Sequence, residues 1–357
     1  MAATEWLLCV QPGFRVMNRR TFIRVGAVGA AGGLAGCGEL FAQRSTARIP
    51  PVLDDRPDGV YRPTHIEGME MIGTQTVGDR TVGLFYSFPH RFWTVSGETN
   101  LAEIQDAQTV HLMAAMWDRE TDTVIPVLRQ PLFSVSQDGD VIDEKRAWPM
   151  LSQNMGFHFG ENIELDGDGT YTVEVEVPSV DIETVGAFDG RFQTTHTATF
   201  TFEYADSERE DISFEEFPDT AGERAAADPM AMMDMPLSFA PPREELPGSP
   251  VTVGSVGDAK FVATVADGTL IVSPRTPYNR YAIPGFPLSA TVESGGFDDT
   301  LTDAIGPSLG AHYRAALDGE PERGDTVTVT VDGPNSLSRH EGYETAFLEG
   351  GSVSTTL

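Results

Sequence analysis

The sequence predicts an all-β protein made of two sandwiches joined by an acidic connecting segment. Three observations predict it. Stretches such as "GTYTVEVEV" and "HTATFTFEY" alternate apolar and polar residues with period two, the repeat of a half-buried strand. Clusters of Gly, Asp, Asn and Pro separate such stretches at the intervals of sandwich turns. No long stretch carries a convincing helical repeat of apolar residues.

In chain order, residues 1–37 read as addressing rather than fold. "MNRRTFIRVGAVGAAGGLAGC" begins at Met17 and carries Arg19-Arg20, then a mildly apolar Ala/Gly/Val run, then Leu34-Ala35-Gly36-Cys37. That is a twin-arginine export signal ending in a lipobox, with Cys37 as the lipidated residue. Residues 1–16 read as an upstream start-site extension. Residues 38–58 are polar and proline-bearing, a tether from the membrane. Residues 59–205 form the first sandwich, and 206–248, acidic and rich in Ala and Pro, the linker. Residues 249–357 form the second sandwich. Apart from Cys9 and Cys37 there is no cysteine, so the folded part has no internal disulfide and no thiolate ligand.

The 357 residues carry a formal net charge of −30, and Lys145 and Lys260 are the only lysines. Phosphate neutralisation needs clustered Lys and Arg, so nucleic acid is excluded as a partner. The excess of acid matches life in concentrated salt: at about 1 M the Debye length is roughly 3 Å and carboxylate repulsion is screened. The protein reads as halophilic, of haloarchaeal type.

The halves echo each other. "NMGFHFGENIELDGDGTYTVEVEV" and "SLGAHYRAALDGEPERGDTVTVTV" both run Gly, one residue, His, aromatic, acidic turn, alternating strand. His158 and His312 are equivalent. Asp303 or Ala304 stands near the place of Met150, which makes the second copy a degenerate site.

Seven histidines are present, and imidazole with thioether suits copper, whereas imidazole with carboxylate suits iron or zinc. His111, Met150 and His158 are the leading candidates. Met113 shares a strand face with His111, and Met69 with Met71, near His65. Each also reads as ordinary core, since methionine is a common core filler. "DPMAMMDMP" (228–236) is either a copper-collecting arm or a linker segment docked between domains. His340 and Glu341, with Glu344, form either a second carboxylate/imidazole site or a polar edge. "GPSLG" (306–310) matches a nucleophile elbow in letters only, because the elbow needs a strand-turn-helix setting. The chain reads as a non-enzyme.

"VHLMAAMWD" (110–118), "PMLSQNMGFHFGENIEL" (149–165) and "GMEMIG" (68–73) resemble segments of the periplasmic iron- and copper-binding proteins that accompany iron permeases. The resemblance covers roughly residues 60–205. It implies immunoglobulin-like sandwiches, a homodimer, a copper or iron ion, an iron permease as partner, and His111, Met150 and His158 as ligands. Met113 replaces the family's glutamate, Trp117 replaces its second strand histidine, and its later histidine-bearing segment has no counterpart in "VDIETVGAFDGRF". The expected function is a lipid-anchored copper- or iron-binding accessory for iron uptake on the outer face of the cell membrane. The competing reading, motivated by the absent ligands, is a surface interaction module with a degenerate metal site.

Overall fold

The period-two stretches are strands in the computed structural model, which describes residues 50–357 except 231–234 and 323. Gly169–Val177 buries Tyr171, Val173, Val175 and Val177 and exposes Thr170 and Glu174. It pairs antiparallel with His196–Tyr204 on one side and Leu132–Gln137 on the other. With Asp140–Arg146 these make a four-stranded sheet. Its inner face meets Val82, Leu84, Leu112 and Ala114 of an eight-stranded sheet in the main apolar core. The second half repeats the plan with a six-stranded and a four-stranded sheet. The chain is all-β, with one short α-helix, Asp206–Glu210, among the described residues.

Each half lends a two-residue strand to the other. Ser338–Arg339 enters the eight-stranded sheet between Trp148–Ser152, to which it runs parallel, and Phe92–Ser96. Glu183–Thr184 joins the six-stranded sheet parallel to Thr302–Gly306. The two exchanges correspond residue by residue. Met150 faces His158 across one hairpin and Ser338 on its other side; Ala304 faces His312 and Glu183 in the same way. The backbone N–H of His340 donates to Leu151 at 3.3 Å, and that of Val185 to Ile305 at 2.9 Å. Gly156 and Gly310 open the equivalent strands at φ of 70° and 61°, left-handed values that favour glycine.

The acidic segment between the halves is laid along both. Its strand Phe214–Glu216 pairs with His65–Glu67. Further on, the Met230 N–H donates to the Asn154 carbonyl and the Phe157 N–H to Ser238. Composition reads this stretch as a linker. Its backbone groups find partners on the neighbouring sheets, which composition does not register.

Candidate metal centre

The centre lies on the face of the eight-stranded sheet turned away from the first sandwich's core. Val110, Leu112, Ala114 and Met116 point into that core, so the alternation puts His111 on the opposite face. His158, Gly160 and Asn162 share one face of the adjacent strand, and Asn162 pairs in register with His111. Met150 is opposite His158 on the next strand over. His340 follows the lent strand Ser338–Arg339 and completes the group from the far end of the chain.

One nitrogen from each of His111, His158 and His340 lies within 4.8 Å of the others. The orientation of each ring follows from its other bonds. His111 Nδ1 is 2.8 Å from Asn162 Oδ1, an acceptor, so Nδ1 carries the proton and Nε2 its lone pair. Asn162 is itself fixed by the His90 backbone, donating to its carbonyl at 2.8 Å and accepting its N–H at 3.1 Å. His158 Nδ1 is 3.1 Å from the Gly156 carbonyl, which leaves its Nε2 free in the same way. The Nε2 atoms of His111, His158 and His340 are buried without a hydrogen-bond partner. Leaving three buried imidazole nitrogens unpaired is costly unless something else binds them.

Gly160 is the floor beneath His111 and Met150. A Cβ there would overlap His111 Nε2 and come within 3.0 Å of Met150 Sδ, so both donors hang over the same glycine. Met150 is fully buried. Burial holds His158 down to about 4, partly offset by its bond to Gly156. Burial, followed by neighbouring imidazoles, holds His111 and His340 well below the usual histidine range. At neutral pH the donors are neutral, and an incoming ion displaces no proton. Three neutral imidazoles with a thioether form a set that suits copper, Cu(I) in particular.

A second group adjoins. The His90 ring centre lies 4.6 Å from that of His111 and 5.3 Å from that of His340. His90 Nδ1 meets Glu67 Oε2 at 2.7 Å, and His65 Nε2 lies 3.5 Å from Glu67 Oε1. Burial pushes the Glu67 carboxyl up, but His90 and then His65 outweigh it and bring it to about 2.

Of the sequence candidates, His111, Met150, His158 and His340 meet in the centre, and His65 lies in the adjoining group. Glu341 accepts hydrogen bonds from the Thr64 N–H and hydroxyl and sits 3.7 Å from His65 Nδ1. Met113, Met69 and Met71 pack in a smaller apolar cluster with Phe85, Trp117, Met155 and Met235. His312 stands apart: the positions matching Met150, His340 and His111 hold Ala304, Val185 and Thr269, and Arg314 replaces Gly160. Cys37 and residues 231–234 of the methionine-rich stretch lie outside the described residues. His90 and Glu67 were not singled out from the sequence; an isolated "SFPH" and a lone strand glutamate carry no motif.

Fold and centre together define a β-sandwich protein with a buried set of imidazole and thioether donors. The model of a "Domain of unknown function (DUF7350)" matches residues 244–356. No curated protein matches the chain. Among solved structures, the chain is similar to a copper-bound glutamate-to-glutamine variant of FetP from uropathogenic Escherichia coli. Identity is 17%, covering 38% of this chain and 97% of that one, with a TM-score of 0.29. As-isolated FetP from the same organism gives 16%, 40%, 96% and 0.28. Similarity this low carries no argument about function.

Proposed function

We propose that this chain is a lipid-anchored, extracytoplasmic copper- or iron-binding accessory protein for iron uptake, and not an enzyme. The observation that carries the reading is the convergence of three buried imidazoles, each with an unpartnered Nε2, with His111 and Met150 hanging over the same glycine, Gly160. The export signal with its lipobox and the resemblance over residues 60–205 support the location and pathway. No helix of the described residues is long and apolar enough to cross a membrane, and the anchor in this reading is the lipid on Cys37. The donor set favours Cu(I) over Fe(II), since thioether is a soft ligand. The absent family ligands had motivated an interaction module. His340 offers a third imidazole from within the chain, which weakens that motive.

The test is titration of the purified chain with Cu(I), Cu(II) and Fe(II) against a competing chelator. One ion per chain, lost in His111→Ala with Met150→Ala, is expected. Unchanged binding in that variant overturns the assignment.

A further inference from the structure

We propose that the methionines on the outer face of the eight-stranded sheet form a thioether path along which Cu(I) enters, running from an acidic cavity to the centre. The inference deepens the function proposed above and rests on its Cu(I)-binding centre. None of the path residues is a donor of that centre.

Methionine is unevenly placed. The main apolar core holds one methionine, Met116, among its buried residues. The smaller cluster gathers Met69, Met71, Met113, Met155 and Met235 around Phe85 and Trp117. Methionine used only to fill gaps has no reason to avoid the large core and crowd the small one. The small cluster differs in its neighbourhood: Met113 shares a strand face with His111, so the cluster lies on the side of the sheet that carries the centre.

Register sets the cluster against the centre. Gly160 pairs with Met113, Met113 with Phe85, and Phe85 with Met71. With neighbouring strands about 4.8 Å apart, these four positions form a row of about 14 Å across the sheet. One end of the row is the glycine over which His111 Nε2 and Met150 Sδ hang. Gly160 contributes no side chain, so Met113 is the next side chain along the row from those donors. Met155 sits in the hairpin turn between Met150 and His158, its N–H donating to Ser152 at 3.1 Å. The acidic segment adds Met235.

The other end of the row reaches the surface. Met69, two residues before Met71, lines a cavity of about 470 Å³ together with Met230. The wall of that cavity carries Glu70, Glu208, Asp211 and Glu215, with no basic residue among its described lining. Such a wall raises the local concentration of cations. Met69 and Met71 are half-buried, whereas Met113 and Met155 are buried. Thioethers thus run from the cavity inward to the centre.

The chemistry suits the cargo. Thioether is a soft, uncharged donor that selects Cu(I) over harder divalent ions. At each step a Cu–S bond forms to the next methionine as the bond to the previous one breaks. The copper stays Cu(I), and no proton or electron moves. Successive donors are alike, so no step traps the ion, and the flexible methionine side chain spans the gap between neighbours. Only at the centre do three imidazoles join the thioether, and there the ion stops.

The experiment follows transfer of Cu(I) from a chromophoric chelator to the full chain by stopped-flow absorbance, alongside equilibrium competition with the same chelator. Met71→Leu with Met113→Leu keeps size and apolarity and removes both thioethers. It should slow loading at least tenfold and leave the equilibrium affinity unchanged. Met116→Leu, in the main core, should alter neither. An unchanged loading rate in the double variant, or an equal slowing in Met116→Leu, overturns the path and leaves the centre standing. An affinity loss that matches the slowing also overturns it, because the two methionines then act as supports of the centre. A second measurement uses the wild-type chain with isotope-labelled methionine methyl groups. Ag(I) beyond the first equivalent, a redox-inert stand-in for Cu(I), should shift the methyl signals of Met69, Met71 and Met113 and leave that of Met116. Unmoved signals overturn the path. If the wild-type chain takes up no Cu(I) at equilibrium, the function proposed above falls, and the path with it.

Discussion

His340 and His158 come from opposite halves of the chain and hold their ring centres 5.2 Å apart, inclined at 40°. The centre is therefore completed within one chain, by a residue that follows the lent strand. His340 is held by its N–H bond to Leu151 and by the turn that Arg339 ties down, donating to Asn335 at 2.7 Å. His340→Ala should lower Cu(I) affinity at least tenfold, the effect of removing one of four donors. Competition with a Cu(I) chelator measures it, and an unchanged melting temperature of the metal-free chain shows that the loss is local.

Gly160→Ala should weaken the ion as much as a ligand substitution does, although it removes no donor. The added methyl group occupies the space of His111 Nε2 and crowds Met150 Sδ. His111 cannot retreat without giving up its 2.8 Å bond to Asn162. We expect a loss of stability of about 1–3 kcal/mol, the usual cost of overpacking, and at least a tenfold loss of Cu(I) affinity. Gly97→Ala, at a left-handed turn with open space, is the control for a glycine change that strains the backbone but leaves the centre alone.

The contrast between what the chain's letters reveal and what they hide follows from range. His111, Met150 and His158 are legible because a strand, a hairpin and a left-handed glycine fix their relation within one stretch of chain. His340 reads from the sequence only as a candidate for a separate site, because a two-residue parallel pairing at Ser338–Arg339 leaves no local pattern that would join it to this one. His90 and Glu67 are hidden for the same reason: each is a lone polar residue until folding brings them together. The alternating strands were readable throughout, since one buried face imposes the period. The methionines of "HIEGMEMIG" were read as candidate ligands from shared faces, yet a shared face also serves packing, and Met69 and Met71 lie against Phe85 and Trp117.

His312 should make the chain less stable in acid. Burial holds it down to about 4, only partly offset by its 2.9 Å contact with the Gly310 carbonyl. A depressed histidine contributes stability above its unfolded value near 6.5, and loses it as pH falls through 4, because the unfolded chain binds the proton first. A shift of that size corresponds to roughly 3 kcal/mol. His312→Gln should flatten the fall in urea midpoint between pH 6.5 and 4 relative to wild type. An unchanged slope would mean that the imidazole is hydrated in solution.

Asp303 acts with the opposite sign in the same small cavity, which it lines together with His312 and Tyr313. Burial, and then the nearby charge of Asp181, raise its carboxyl to about 6, against a partial offset from Tyr313. A raised acid prefers the protonated form in the folded chain, so folding is penalised as pH climbs from the unfolded value near 4 to about 6, and the full penalty holds above that. Asparagine keeps the shape and removes the charge. Asp303→Asn should therefore stabilise the chain at pH 7, by about 1 kcal/mol once solvent screening of this partly exposed group is allowed for. The gain should vanish at pH 4, where both forms are neutral. Melting curves of the two proteins at pH 4 and pH 7 decide it: equal gains at both values would show that the charge is not the cause.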